Sequence, residues 1–220
     1  MKKLIIFDFD GTLVDTITDV GLCFNEALFR CGFPQHPIEA FGGFAGGNLE
    51  TVVSKLLPAE ARSKENIDAV KTVYRQCYLH SGKPNTAPYP GIMELLEALK
   101  YRGIKLAVNS NKGQVLLDDM VEKIFPSEFF DAVVGYLETR PSKPDPFGVE
   151  LILQKTACAV CDAVYVGDGA SDIATARNAG MDMAFVSWGQ GSPIDERDPY
   201  CRWRCRSAAE LAAVLLGGKS

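Results

Sequence analysis

Short apolar runs alternate with amphipathic stretches along most of this chain, and no other feature limits its fold as strongly. Lys3–Phe9, Ile104–Asn109, Phe130–Val134, Ala163–Gly167 and Met183–Ser187 read as buried strands. Between them, Gly91–Tyr101 sets Ile92, Leu95, Leu96 and Leu99 on one helical face and stops at Gly103, and similar faces run over Val115–Phe125 and Phe147–Thr156. That alternation predicts an α/β fold, a parallel sheet with helices on both sides.

The alternation breaks after the first strand. From Thr16 to Pro84 the chain shows helical patterns and no convincing strand. Asp15–Arg30 carries Val20, Cys23, Phe24, Ala27 and Leu28 on a stripe ended by Gly32 and Pro34. Asn48 is placed to cap Leu49–Leu57, which Pro58 ends, and Lys64–His80 shows Ile67, Val70, Val73, Tyr74 and Cys77. The Gly- and Pro-rich stretch 82–88 reads as the linker back. The expected organisation is an α/β core of residues 1–15 and 85–220, interrupted by a helical insertion over 16–84.

Composition narrows the functional classes. With 220 residues, 47% of them hydrophobic, the chain can bury a substantial core. A net charge of -5 gives no basic field for a polyanion, so nucleic acid is not an expected partner. Leu4–Phe7 is too short for a signal-peptide core and Leu211–Leu216 far too short for a membrane span. No membrane partner and a cytoplasmic location are therefore expected, with the seven cysteines as reduced thiols. Cys158 with Cys161 and Cys201 with Cys205 could in principle offer four thiolates to zinc. Against this, the second pair has three intervening residues, and free cysteine commonly serves as a small buried hydrophobe.

The chemistry gathers at strand ends. Asp8-Phe-Asp10-Gly11-Thr12 follows the first apolar strand, where a parallel sheet opens its crevice. A lone Asp-x-Asp ordinarily means a turn cap beside a solvated carboxylate. Here a second acidic pair, Asp168 and Asp172, follows another apolar strand and opens a helix ending at Gly180. If those strands are neighbours, Asp8, Asp168 and Asp172 converge, each close pair costing on the order of 4 kcal/mol at an effective dielectric near 20. Something positive must then sit between them, and a small set of oxygen donors suits Mg²⁺, whereas a soft metal would ask for His or Cys. His36 and His80 both fall in the helical insertion and read as surface or cap residues. Ser110-Asn111-Lys112-Gly113 offers a hydroxyl and backbone amides at an expected helix start, a phosphate cradle or simply an N-cap. Lys143-Pro-Asp-Pro146 places an ammonium on a stiffened approach to the next helix.

Together these elements resemble the haloacid dehalogenase superfamily in its phosphatase branch, nearest to the phosphoglycolate phosphatase-like enzymes. Asp8–Asp15, Ser110 with Asn111 and Lys112, Lys143–Pro146, and Gly167-Asp168 with Asp172 look like its four motifs in order. The resemblance implies a Rossmann-like three-layer core with strand order 3-2-1-4-5 and a helical cap over 16–84. It implies Asp8 as nucleophile and Asp10 as general acid and base. Ser110 and Lys143 would hold the phosphoryl group, with Gly11, Thr12 and Asn111 also on the substrate. Asp8, the Asp10 carbonyl and Asp168 would bind Mg²⁺, with Asp172 behind them. The implied enzyme is a monomer or small homo-oligomer acting on a small phosphorylated metabolite.

Within the insertion, Phe41–Leu49 is the stretch expected to select the substrate. Phe41 and Phe44 read equally as pocket floor or packing, and Gly11, Gly42, Gly43, Gly46 and Gly47 as swing points or plain turns. The stretch holds no Lys or Arg, so a second anionic group on the substrate has no partner within it. A neutral sugar or nucleoside leaving group fits no worse than glycolate. A phosphosugar mutase would share all four motifs, and a non-catalytic phosphate-binding protein is the remaining alternative. Trp188 and Trp203 read as packing residues, with Trp188-Gly-Gln-Gly after the fifth strand also placed to border the crevice, and Arg202, Arg204 and Arg206 read as the exposed face of an edge strand.

Overall fold

The computed structural model describes residues 2–217. Its centre is β1 (Leu4–Phe7), flanked by β4 (Lys105–Gly113) on one side and β6 (Ala163–Gly167) on the other. With β5 (Ala132–Tyr136), β7 (Asp182–Val186) and β8 (Cys201–Cys205), the sheet runs β5-β4-β1-β6-β7-β8, every pairing parallel. The implied order 3-2-1-4-5 is therefore present, extended by β8, the edge strand whose arginines alternate.

Two-residue periodicity divides β1 between two cores, because successive side chains of a strand point to opposite faces. Ile5 and Phe7 join one cluster, Leu4 and Ile6 the other, and all four are fully buried. Helices α7 (Phe147–Thr156) and α8 (Ala170–Asn178) send Val149, Ile152, Ile173 and Ala176 into the second cluster. The first takes α5 (Ile92–Tyr101), α6 (Gln114–Ile124) and α10 (Ala208–Leu216). The four-residue helix α9 (Pro193–Glu196) follows β7.

The stretch between β1 and β4 is helical, as its patterns required: α1 (Ile17–Arg30), α2 (Phe41–Phe44), α3 (Leu49–Leu56) and α4 (Lys64–His80). Asn48 caps α3 by accepting from Thr51 N at 3.0 Å. Phe24 of α1 stacks on Tyr74 of α4 with centroids 3.8 Å apart, joining the two longest helices of the insertion. Two short strands, β2 (Val14–Asp15) and β3 (Ala87–Pro88), pair antiparallel where the chain leaves and rejoins the core. Neither has a periodic signature, being two residues long.

Three expectations change. β1 ends at Phe7, so Phe9 belongs to the loop. The third strand begins at Ala132 instead of Phe130. β4 continues through Ser110–Gly113, with a register shift between Asn109 and Gly113, and α6 starts only at Gln114. Ser110-Asn111-Lys112-Gly113 is thus an irregular strand end and not the first turn of a helix.

The zinc reading of the cysteines fails. A register shift in β8 sends Cys205 into the first core and Cys201 into the second, so the pair straddles the sheet. Cys161 is exposed. Among the described residues, no helix is long and apolar enough to cross a membrane.

Candidate active site

Register brings the marked strand ends together. Phe7 lies level with Val108 on β4 and with Val166 on β6, so Asp8, Ser110 and Asp168 follow on adjacent strands. Lys143 arrives from the loop after β5, its Nζ 2.8 Å from Asp8 Oδ1 and 2.7 Å from Asp172 Oδ1. That loop is clamped by Asn111, whose Oδ1 accepts from Lys143 N at 2.8 Å while its Nδ2 donates to Lys143 O at 3.3 Å. The Asn111 side chain, expected on the substrate, is engaged in holding Lys143.

Asp168 is fixed from two directions. Thr12 Oγ1 donates to its Oδ1 at 3.0 Å and Gln190 N to its Oδ2 at 2.6 Å. Gly11 passes so close that a Cβ there would lie 2.5 Å from Asp168 Oδ2, and its φ of +83° is left-handed. Close approach, more than a hinge, is what that glycine provides. Asp172 accepts from Gly169 N at 3.0 Å, tying its second oxygen to the start of α8. Ser110 is buried and its Oγ accepts from Lys112 N at 3.1 Å.

Asp8, Asp168 and Asp172 are buried and offer oxygens within 4.8 Å of one another. Burial, then the Asp172 charge, pushes Asp8 well above the ordinary carboxylate range, with Lys143 opposing. Burial and Asp172 push Asp168 up to about 7, against the Gln190 amide and the Thr12 hydroxyl. Burial disfavours the Lys143 ammonium, yet Asp172 and Asp8 outweigh it and hold the group above an ordinary lysine. Asp8 Oδ1 has no hydrogen bond of good geometry although it is buried. Three carboxylates around one ammonium leave a negative excess, and Asp8 Oδ1 has only that ammonium beside it. A hard divalent cation taking oxygen donors fits both facts.

Asp10 points elsewhere. Its Oδ1 accepts from Thr16 Oγ1 at 2.7 Å and lies 3.0 Å from Lys112 Nζ, on the wall of a cleft of about 400 Å³ between strand ends and helical insertion. Phe41 is buried, packs beside Phe24, and also lines the cleft; Phe44 packs against His36 with centroids 4.8 Å apart and does not line it. His36 contacts Leu56 O and His80 contacts Gln76 O, neither reaching the acidic cluster.

Sequence reasoning left several cleft residues without a role. Lys112 sits two positions past Ser110 in extended chain, a spacing that places both toward one side; reading the segment as a helix start concealed it. The absence of cations in Phe41–Leu49 also misled, because α3 and α4 bring Lys55 and Arg75 to the cleft wall. Lys55 Nζ lies 3.3–3.5 Å from the carbonyls of Phe44, Ala45 and Gly46. The stretch Trp188-Gly-Gln-Gly, placed by its position after the fifth strand at the border of the crevice, does bring Gln190 and Gly191 to the cleft wall, while Trp188 Nε1 donates to Thr12 O at 3.1 Å.

A sequence model of the haloacid dehalogenase-like hydrolases matches residues 5–186. The chain belongs to that family. Within this hydrolase family, the phosphoglycolate phosphatase of Aquifex aeolicus is 33% identical over 187 residues, 85% of each chain. That of Psychrobacter arcticus is 30% identical over 206 residues, 90% of each. Among solved structures, a haloacid dehalogenase-like hydrolase of Streptococcus pneumoniae superposes with a TM-score of 0.87 at 26% identity, covering 97% of this chain and 98% of that one.

Proposed function

We propose that this hydrolase is a Mg²⁺-dependent phosphatase of small phosphate monoesters, working through an aspartyl phosphate on Asp8, with phosphoglycolate as the leading substrate. The observation that carries the reading is the buried Asp8 carboxylate, whose Oδ1 has only the Lys143 ammonium beside it, facing Asp168. Relatives at 33% and 30% identity carrying that enzyme name support the substrate class.

Asp8, the Asp10 carbonyl and Asp168 are the residues that would hold Mg²⁺. When bound, the ion offsets the negative charge that would otherwise keep a phosphate dianion from a carboxylate. Lys143 and Ser110 orient the phosphoryl oxygens, and Asp172 and Asn111 hold Lys143 in place. An Asp8 oxygen attacks phosphorus in line, and the ester P–O bond breaks as Asp10 donates a proton to the leaving oxygen. Asp10 then takes a proton from water, whose oxygen attacks phosphorus. The bond to Asp8 breaks, returning the carboxylate and free phosphate. Residues 16–84 act as a cap that covers the cleft and excludes bulk water during the first step.

The test is phosphate release from phosphoglycolate, hexose phosphates and nucleoside monophosphates, with Mg²⁺ or EDTA, in wild type and Asp8→Asn. Release that needs Mg²⁺ and vanishes in the variant is the expected result. No release from any ester would end the phosphatase reading.

A further inference from the structure

Lys112 is a buried cation that the steps above do not use. Its side chain is 7% exposed, lines the cleft, and has its Nζ 3.0 Å from Asp10 Oδ1. The ammonium also sits 4.7 Å from the ring centroid of Tyr78 and 3.5 Å from the Tyr78 hydroxyl, on a side chain that is itself fully buried. An aromatic face and a fixed carboxylate thus hold the charge in one place before any ligand arrives.

The other cations of the cleft are differently placed. Lys143 is shared between Asp8 and Asp172, and Arg75 is paired with Glu138 at 3.3 Å. Lys55 is exposed and lies over backbone carbonyls. Only Lys112, among these four, is both buried and beside the group proposed to protonate the leaving oxygen.

We infer that Lys112 is a specificity residue, whose ammonium takes a carboxylate carried two bonds behind the ester oxygen of the substrate. The assignment rests on the phosphatase reading for the position of that oxygen, which must lie against Asp10. An anion two bonds further falls within reach of a cation 3.0 Å from the Asp10 carboxylate. A charge at the far end of a hexose does not. Desolvated ammonium-to-carboxylate bonds are strong and discriminate sharply, because a neutral analogue leaves the buried charge without its second partner. The cap stretch Phe41–Leu49 then needs no cation of its own: the core supplies the one that reads a short acidic leaving group.

The test compares phosphoglycolate with 2-hydroxyethyl phosphate, an ester of the same length with a neutral end. Wild type is expected to favour phosphoglycolate about 100-fold in kcat/KM, the ratio of one charge-assisted hydrogen bond. Lys112→Met should bring the ratio close to one, the loss on phosphoglycolate falling mainly in KM. Equal losses on both esters, confined to kcat, would overturn the assignment and leave Lys112 as a residue that only orients Asp10. Lys112→Gln, which keeps a stem and a donor, serves if the Met variant does not fold.

Calorimetric binding of both esters to Asp8→Asn, with and without Lys112→Met, reads the same contact without turnover. Discrimination there that depends on Lys112 upholds the assignment even if wild type hydrolyses neither ester, in which case the phosphatase reading alone fails. Equal binding of both esters by Asp8→Asn would sink the Lys112 assignment whatever the turnover.

Discussion

Asp8 is held where a carboxylate is least comfortable: buried, 2.8 Å from one ammonium, and close to two further acids. Replacing it with Asn removes one negative charge from that cluster while keeping the shape. In metal-free buffer, Asp8→Asn is expected to stabilise the fold by about 1–2 kcal/mol, the usual exchange of activity for stability at such sites. For a chain of this size that is a rise in Tm of about 2–8 °C, readable by thermal denaturation. A fall in Tm would mean that Asp8 contributes structure beyond its charge. Gly11 carries the opposite expectation. Gly11→Ala must place a Cβ 2.5 Å from Asp168 Oδ2 and keep a φ of +83°, so it should cost about 1–3 kcal/mol. It should also weaken Mg²⁺ binding, measured by titration, since the displaced atom belongs to a proposed ligand.

Between elements, the linker after α4 is tied more firmly than its Gly and Pro content suggests. Buried Asp19 of α1 accepts from Asn85 N and Asn85 Nδ2, each at 2.9 Å, and from Thr86 Oγ1 at 2.7 Å. Asp19→Ala leaves those donors unpaired and should cost about 2–4 kcal/mol in urea unfolding, with faster proteolytic cutting between 81 and 88. Unchanged stability and cutting would show the tie to be incidental. Nothing in the local sequence announces that contact, which joins residues 66 and 67 positions apart. What could be read locally was the set of central strands, because a parallel strand buried on both faces is a continuous apolar run such as Leu4–Phe7. The acidic pairs were legible for the same reason, each following such a run. The end of β4 was not, since its polar residues line a cleft and interrupt the apolar signal that defines a strand. Lys55 and Arg75 reach the site only by tertiary packing, which is why the cap stretch alone gave a misleading picture of the charges a substrate meets.

Across the whole molecule, the parallel sheet acts as a platform that concentrates negative charge beyond the carboxyl ends of its central strands, and folding must bear that cost until a cation arrives. Asp168 shows the sign. Its folded pKa of about 7 lies above the ordinary carboxylate value, so the folded metal-free protein binds more protons than the unfolded chain between about pH 4 and 7. Stability from this group is complete below that window and is lost as pH rises through it, by an amount on the order of 4 kcal/mol at about 1.4 kcal/mol per pKa unit. Asp8, raised by burial and by Asp172, acts in the same direction. A divalent cation bound by these carboxylates competes with the protons and offsets the charge. Mg²⁺ should therefore raise Tm more at pH 8 than at pH 5, the ordinary mass-action gain being about 2.7 kcal/mol at a hundred times Kd. Thermal unfolding with MgCl₂ or EDTA at the two pH values measures the difference, and Asp168→Asn should remove most of it. An equal Tm gain at both pH values, or one that survives Asp168→Asn, would place the cation somewhere other than this cluster.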